Sequence, residues 1–408
     1  MTLRRLGGLG CLIVLAGCGG GASSSSSVTA LLTPTGTAGT TTTATTSATA
    51  SQAPTAAPTP SPTPAATAAA TPTCTVAAQS PPQGTISANY PTALAFAPDG
   101  RLFWTERGGT VRVWQGGAAR AFASVSTVTT EPGGGYSERG LLGLAISPTF
   151  NQDRFVYAFY SDADYTHQHV IRWRDCGGTG TGGTVLITLP SGADCCHKGG
   201  RLAFGPDGKL YVTLGEEHTA SAAQNTGDVR GKVLRYNPDG SLPADNPFGA
   251  ANPVWAYGLR NPFGIAIASS GQIAVTNNGP SGDAGSPGTG YDTVIVSLTR
   301  GGAYQWPNCY GYSHPIGGAS CAGEIAPDWS SEASTVVPTG ATFVDASGPA
   351  AYAGHVVVCT FNRGMLVMTP GSPHATAAGG PSGCRLDVKE GLDHALYYSD
   401  TGHIYRLA

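Results

Sequence analysis

The sequence predicts an all-β protein folded as a six-bladed β-propeller. Glycine is abundant, with 59 residues in a chain of 408, and only 12% of the residues are charged, which is typical of many turns and few long helices. Six segments repeat one pattern: apolar alternation, a turn with Pro, Asp or Gly, then a second apolar alternation. They span residues 94–104, 144–157, 202–212, 264–275, 341–358 and 386–398. This period suits four-stranded blades with variable loops better than a two-sheet sandwich.

The first segment predicts export. Arg4 and Arg5 precede an apolar run, and Leu15-Ala16-Gly17-Cys18 resembles a bacterial lipobox, in which the cysteine is acylated; the alternative is an ordinary secretory signal cut nearby. We therefore expect residues 1–18 to be a lipoprotein signal segment. The protein is then an exported lipoprotein on the extracellular or periplasmic face, held to the membrane only through a lipid on Cys18.

Residues 19–73 are rich in Ala, Thr, Ser and Pro and carry no charge. Such a composition cannot bury enough apolar surface to offset chain entropy, so it predicts a disordered linker. The propeller is expected to occupy residues 74–408. The net charge of −3 excludes a basic nucleic-acid-binding protein, and no nucleic-acid partner is expected.

Eight of the ten cysteines follow Cys18, an even number that fits disulfides in an exported domain. Cys309 with Cys321, and Cys359 with Cys384, flank short loops and are expected to pair. Among the remaining four, a bond between Cys176 and one of the adjacent Cys195 and Cys196 is the favoured arrangement, with the pairing left open. Cys74 is the fourth.

Polar residues gather at the predicted strand ends, where the loops of one propeller mouth meet. The loops span residues 137–143, 194–201 with 215–218, 257–262, and 277–280. The most specific motifs are Glu138-Arg-Gly-Leu-Leu-Gly-Leu-Ala145, His197-Lys-Gly-Gly-Arg-Leu202, Gly258-Leu-Arg-Asn-Pro-Phe-Gly264, Asn278-Gly-Pro280 and Gly301-Gly-Ala-Tyr-Gln-Trp-Pro307. In this order they resemble the soluble quinoprotein sugar dehydrogenases of the glucose/sorbosone dehydrogenase family, over roughly residues 85–408.

The resemblance implies an oxidoreductase that oxidises an aldose or related polyol with pyrroloquinoline quinone (PQQ) and Ca²⁺ at the propeller mouth. It implies that His197 is the general base, which Glu216 orients where the family usually carries Asp, and that Arg260 stabilises the reduced quinone. The carbonyls of Gly279 and Pro280 are the implied Ca²⁺ ligands. The other implied cofactor contacts are Glu138, Asn261, Asn278, Asn362, Arg363 and Arg385, beside His197, Arg260, Gly279 and Pro280. The expected partners are a sugar substrate and an external electron acceptor.

Two departures from the family pattern keep other functions open. Asn362 stands where the family has a Lys, and Arg385 is one Arg where the family has two, so fewer cations face the cofactor carboxylates. One alternative is a non-catalytic extracellular propeller that binds a glycan or protein, as in the hedgehog-interacting proteins. A Ca²⁺-dependent lactonase on the same architecture is the other, and needs converging Asp, Asn and Glu ligands.

The linker assignment has a direct test. Because residues 19–73 are expected not to pack on the propeller, limited proteolysis is expected to trim the chain to near Cys74 without changing its melting temperature. A large loss of thermal stability on trimming would contradict the assignment.

Overall fold

The structure is a computed structural model that describes Cys74, residues 76–192 and residues 194–408. The expected signal segment (1–18) and linker (19–73) lie outside the described residues. Within the described part, no helix is long and apolar enough to cross a membrane.

The chain enters at β1 (Ile86–Ser87), a short strand that belongs to the last blade, and then builds blades in chain order. Blade 1 consists of β2 (Pro91–Phe96), β3 (Leu102–Glu106), β4 (Thr110–Gln115) and β5 (Ala118–Ser124). Blade 2 consists of β6 (Leu141–Ile146), β7 (Phe155–Ser161), β8 (His167–Cys176) and β9 (Thr179–Pro190), with the one-turn helix α1 (Phe150–Asp153) between β6 and β7. Blade 3 consists of β10 (Leu202–Phe204), β11 (Leu210–Leu214), β12 (Lys232–Tyr236) and β13 (Val254–Tyr257).

Blades 4 to 6 continue the same antiparallel order. Blade 4 consists of β14 (Asn261–Ile267), β15 (Ile273–Asn278), β16 (Thr293–Ile295) and β19 (Trp329–Ser330), and the hairpin β17 (Cys309–Tyr310) and β18 (His314–Pro315) extends from it. Blade 5 consists of β20 (Pro338–Phe343), β21 (Val356–Thr360), β22 (Gly364–Thr369) and β23 (Thr376–Gly379). Blade 6 consists of β24 (Val388–Glu390), β25 (Leu396–Ser399), β26 (His403–Leu407) and β1. Two 3₁₀ turns span Ala220–Ala222 and Asp283–Gly285.

The prediction of a six-bladed propeller is confirmed. Each of the six repeated segments overlaps the first and second strands of one blade and includes the turn or loop that joins them. Pairing of β1 with β26 closes the ring, because the start of the domain supplies the outer strand of its last blade.

Apolar packing lies between the blades, with one buried cluster at each of the six interfaces. Between blades 1 and 2, Phe122 packs edge-on against Phe103 of its own blade and Trp173 of the next, with ring centroids 5.2 and 6.5 Å away. At the closing interface, Trp104 of blade 1 packs with Tyr397 and Ile404 of blade 6. Each sheet therefore buries both faces against its neighbours, which explains the near-continuous burial of the inner strands.

A buried arginine crosses the propeller axis. Arg201 enters blade 3, and its guanidinium donates to the carbonyls of Thr92 in blade 1, Phe263 in blade 4 and Leu386 at the start of blade 6; the last two bonds measure 3.2 and 3.1 Å. Its Nη1 lies 3.9 Å from a carboxylate oxygen of Asp387. One cation therefore joins four blades at the centre.

Two neighbouring charged residues strengthen the contact with blade 1 and extend this network to blade 5. Asp387 accepts from the backbone N–H of Leu94 in blade 1 at 2.8 Å, and the Nζ of Lys389 donates to the carbonyl of Ala341 in blade 5 at 2.7 Å. The axis is thus held by charge-assisted hydrogen bonds to backbone groups of the inner strands, which are stronger than neutral ones.

Disulfides connect Cys309 with Cys321 and Cys359 with Cys384, as predicted. The favoured bond from Cys176 to one of the adjacent cysteines is wrong. Cys176, at the end of β8, bonds Cys74, while Cys195 and Cys196 bond each other. The physical reason is distance between the two ends of the blades: β8 ends at the face opposite the mouth, whereas Cys195 and Cys196 lie directly before His197 at the mouth.

Replacing Arg201 tests the role of the axial cation. Arg201→Met is expected to lower the free energy of unfolding by about 3–5 kcal/mol, because it leaves Asp387 and several backbone carbonyls buried with fewer donors. Chemical denaturation measures this change. Arg112→Met is the control, since Arg112 forms a partly exposed ion pair with Glu106, and about 1 kcal/mol or less is expected there. Equal losses in the two variants would contradict a special role for the axis.

Candidate active site

The polar residues predicted from the sequence meet at one mouth of the propeller. Antiparallel strands alternate in direction, so the starts of first strands and the ends of second strands lie at the same end of every blade. Glu138 precedes β6, His197 precedes β10 and Glu216 follows β11, while Asn261 begins β14 and Asn278 ends β15. Three consecutive blades thus supply the cluster.

His197 and Glu216 form a buried hydrogen-bonded dyad. The His197 Nδ1 and Glu216 Oε1 are directly bonded, and both side chains are shielded from solvent. His197 has a left-handed backbone, with φ of 60°, which is unusual for a residue with a side chain. The second carboxylate oxygen of Glu216 is buried and has no hydrogen-bond partner among the described residues.

Burial controls the proton affinity of this dyad. Desolvation raises the pKa of Glu216 to about 7, although Arg260 opposes the rise. Desolvation, followed by the charge of Arg260, lowers the pKa of His197 well below its ordinary value. Both effects disfavour charge on the buried groups, so the His197 imidazole is neutral at neutral pH.

The His218 ring stacks on His197, with centroids 4.0 Å apart and planes inclined by 9°. His218 is exposed, so it covers one face of the His197 imidazole and separates that face from solvent. The stack and the bond to Glu216 together fix the ring plane. His197 therefore presents Nε2 as its remaining ring nitrogen.

Arg260 is paired with an acid that the sequence did not single out. Its Nε and Nη2 donate to the two carboxylate oxygens of Asp283 at 2.8 and 3.0 Å, and its Nη1 donates to the Gly279 carbonyl. Burial raises the pKa of Asp283, but the Arg260 guanidinium outweighs it and lowers that pKa to about 2. Potential ligand atoms of His197, Glu216 and Asp283 lie within 4.8 Å of one another, and Arg260 already occupies both Asp283 oxygens.

Glu138 and Asn261 join the loops of three blades. Asn261 Nδ2 donates to Glu138 at 3.1 Å, and its Oδ1 accepts from the Gly199 N–H at 3.2 Å. Glu138 also accepts from the Lys198 N–H at 3.2 Å. These bonds hold the segment that carries His197 between its two neighbours.

Oxygen atoms and aromatic rings gather on the blade 4 side. A cavity beside Arg260 is lined by Asn278, Gly279, Pro280 and the rings of Tyr291, Tyr304 and Trp306. The Arg260 guanidinium carbon lies 5.4 Å from the Trp306 ring centroid. Asn278 Oδ1 is buried without a hydrogen-bond partner among the described residues.

Asn362, Arg363 and Arg385 stand apart from this cluster. Asn362 and Arg363 lie in the turn after β21 and Arg385 precedes β24, so all three are at the mouth end of blades 5 and 6. Their side chains are exposed, and the hydrogen bonds that they form within the described part of the chain use their backbone atoms.

Two features of the site escaped sequence reasoning. Asp283 lies 23 residues beyond Arg260 in an irregular loop, and no local pattern marks it as a partner. His218 belongs to the recognised loop, but nothing in its spacing indicates that its ring stacks on His197.

Comparison with known proteins agrees with this geometry. The chain matches the family described as Glucose / Sorbosone dehydrogenase over residues 88–406. It is 31% identical over 265 residues to quinoprotein glucose dehydrogenase B of Acinetobacter calcoaceticus, covering 56% of this chain and 52% of the relative. It is also 31% identical over 241 residues to the aldose sugar dehydrogenase YliI of Escherichia coli, covering 54% and 59%. The aligned region spans just over half the length of these curated relatives.

A crystal structure of an oxidoreductase (glucose dehydrogenase) from Thermus thermophilus superimposes with a TM-score of 0.68 at 29% identity, covering 79% of this chain and 99% of that one. The family match extends from before the first blade to the last strand, and the motif residues occupy the mouth. The chain therefore belongs to the glucose/sorbosone dehydrogenase family of propeller oxidoreductases.

Proposed function

We propose that this protein oxidises an aldose or a related sugar or polyol, with PQQ bound at the propeller mouth beside a Ca²⁺ ion. The observation that carries the proposal is the buried His197–Glu216 dyad next to the Arg260–Asp283 pair, in a family whose curated relatives include a quinoprotein glucose dehydrogenase.

His197 is the proposed general base. Glu216 holds Nδ1, so Nε2 receives the proton of the sugar hydroxyl, and neutral imidazole is the form that can accept it. The carboxylate then stabilises the imidazolium that forms. When bound, the quinone supplies the hydride acceptor. The hydride leaves the carbon that carries the deprotonated hydroxyl group, so the sugar becomes a lactone or the corresponding carbonyl compound.

Arg260 is the proposed electrostatic group at the reacting edge. Asp283 fixes its guanidinium through two hydrogen bonds, so the positive charge is oriented before substrate arrives. Asn261 and Glu138 hold the adjoining loops and are proposed to border the cofactor.

The residues present fit a flat, anionic cofactor. The aromatic residues Tyr291 and Trp306 beside Arg260 supply apolar surface next to the mouth, and the exposed Arg363 and Arg385 can approach carboxylates from the opposite blades. Asn362 adds an amide at the same edge. Oxygen donors suited to a hard cation such as Ca²⁺ are the Pro280 carbonyl and the unpartnered Asn278 Oδ1, together with the Gly279 carbonyl, whose second lone pair is left by its bond from Arg260.

Export remains part of the proposal. Four disulfides among the described residues are consistent with an oxidising compartment and so support export, and the tether through Cys18 is proposed from the lipobox pattern of the sequence. The electrons from the sugar are then passed to an external acceptor.

The dehydrogenase is favoured over a propeller that only binds a glycan or protein, because a protein that only binds has no evident use for a buried base.

The role of His197 is tested by stopped-flow reduction of the cofactor. In protein loaded with PQQ and Ca²⁺ and mixed with excess aldose, His197→Ala is expected to lower the reduction rate by about 10²–10⁴-fold, because the base is lost, while cofactor affinity changes little. His355→Ala, at the opposite end of blade 5, is the matched histidine control and is expected to keep the parental rate. Parental reduction by the His197 variant would overturn its role, and a parent that never responds to aldose would favour the binding module.

The pH dependence tests the dyad as a unit. A proton bound to the dyad removes its basic form, so kcat/KM is expected to fall as the pH drops through about 7, where the raised pKa of Glu216 lies. Glu216→Gln removes that carboxyl and leaves only the lowered pKa of His197, so the acid limb is expected to move to lower pH while kcat also decreases. An unchanged acid limb in this variant would contradict the coupling.

A further inference from the structure

A second pair of buried side chains connects the same two segments that carry the dyad. Lys198 Nζ is paired with Glu217 Oε2, and both side chains are completely shielded from solvent. These residues follow His197 and Glu216 in the chain. The segments 197–198 and 216–217 are therefore joined twice, once by the dyad and once by an ion pair.

Every polar atom of this ion pair is occupied. Glu217 Oε2 also accepts from the Gly192 N–H at 2.7 Å, and its Oε1 accepts from Gln168 Nε2. Lys198 Nζ donates in addition to the Gly192 carbonyl at 3.1 Å and lies 3.5 Å from Ser191 Oγ. The pair is thus fastened to blade 2, which supplies Gln168 and the segment after β9.

The backbone on both sides of the pair is strained. His197, Glu217 and His218 have φ of 60°, 55° and 55°, a left-handed conformation at three residues that carry side chains. Such conformations are unfavourable for residues with side chains and persist only where the surroundings enforce them. The Glu217 side chain is held by Lys198, Gly192 and Gln168, and these contacts fix the backbone between Glu216 and His218.

Stability does not explain this pair well. A buried ion pair often contributes no more to folding than apolar residues of the same size, because desolvation offsets the attraction. Neither Lys198 nor Glu217 has a role in the proposed proton transfer. The contacts indicate instead that the pair positions the residues next to it in the chain, His197 and Glu216.

We propose that Lys198 and Glu217 are a positioning pair that sets the distance and orientation of His197 relative to Glu216. This inference rests on the proposed function, in which His197 must present Nε2 to a sugar hydroxyl. Residues that orient metal ligands through a hydrogen bond change activity by about 10–100-fold when removed, and we expect the same magnitude for residues that orient a base.

Glu217→Gln keeps the size of the side chain and removes its charge. In cofactor-loaded, folded protein, kcat for aldose is expected to fall about 10–100-fold while KM stays within about threefold, because the base is misplaced and the sugar contacts are not. Asp175→Asn is the matched control: Asp175 forms an equally buried ion pair with Arg101 at the opposite end of the blades. It is expected to lower stability and to leave kcat unchanged.

A second variant guards against loss of folding. Gln168→Leu removes one neutral hydrogen bond to Glu217, and kcat is expected to fall by about fivefold, as one hydrogen bond of about 1 kcal/mol predicts. If both Glu217→Gln and Gln168→Leu keep the parental kcat per folded molecule, the pair is structural only and the proposal is wrong.

A readout without turnover separates this proposal from the proposed function. In apo-protein with ¹⁵N-labelled histidine, the Nδ1–H resonance of His197, hydrogen-bonded to Glu216, is expected in the parent and in Asp175→Asn. It is expected to shift upfield or exchange away in Glu217→Gln. An unaltered resonance in Glu217→Gln would overturn the positioning role even if the enzyme is active. An altered resonance would sustain it even if the parent oxidises no sugar.

Discussion

The propeller depends on a buried cation at its axis. Six sheets that meet at a centre bring backbone carbonyls of their inner strands together, and Arg201 supplies donors for those of blades 1, 4 and 6. The backbones of neighbouring inner strands must also approach each other closely. A side chain at Gly264 would lie 1.9 Å from the Thr339 carbonyl, and one at Gly340 would lie 1.9 Å from an Asp387 carboxylate oxygen. The inner strands therefore combine small residues with one long cation.

The same short segment connects this axis with the chemistry at the mouth. Within residues 197–201, His197 bonds Glu216, Lys198 pairs with Glu217 and the Gly199 N–H reaches Asn261. Arg201 then ends the segment at the axis. The first two contacts lead to adjacent residues after β11 in blade 3, the third leads to blade 4, and the Lys198 N–H bond to Glu138 adds blade 2. The position of the proposed base is therefore fixed by three blades together.

The sequence predicted the inner half of each blade and missed most of the outer half for a physical reason. First and second strands are rich in apolar residues because both of their faces are packed between blades, and the turns that join them contain residues with defined turn geometry. Outer strands such as β9 (Thr179–Pro190) are mostly exposed, so no apolar period marks them, and β1 has only two residues.

The prediction of cysteine pairing failed because the sequence does not show at which end of the propeller a cysteine lies. Cys176 and Cys195 lie at opposite ends of the blades, so they cannot pair.

For the site, motif residues in blades 2, 3 and 4 were predicted well because each lies directly at a strand end. The charge balance of the site was not predicted, because Asp283, which neutralises Arg260, belongs to the segment between β15 and β16 and no sequence pattern marks it.

The Arg260–Asp283 pair changes how the proposed cofactor is held. With Arg260 already paired, its net attraction for cofactor carboxylates is small, and of the cofactor contacts proposed among the described residues, Arg363 and Arg385 are the cations left for them. Both are exposed to solvent, where ion pairs contribute only about 0–1 kcal/mol each and are screened by salt. On the proposed function, binding of the cofactor depends mainly on apolar contact with its ring and on the Ca²⁺ ion proposed beside Asn278, Gly279 and Pro280, whereas the buried dyad and Arg260 act at the reacting edge.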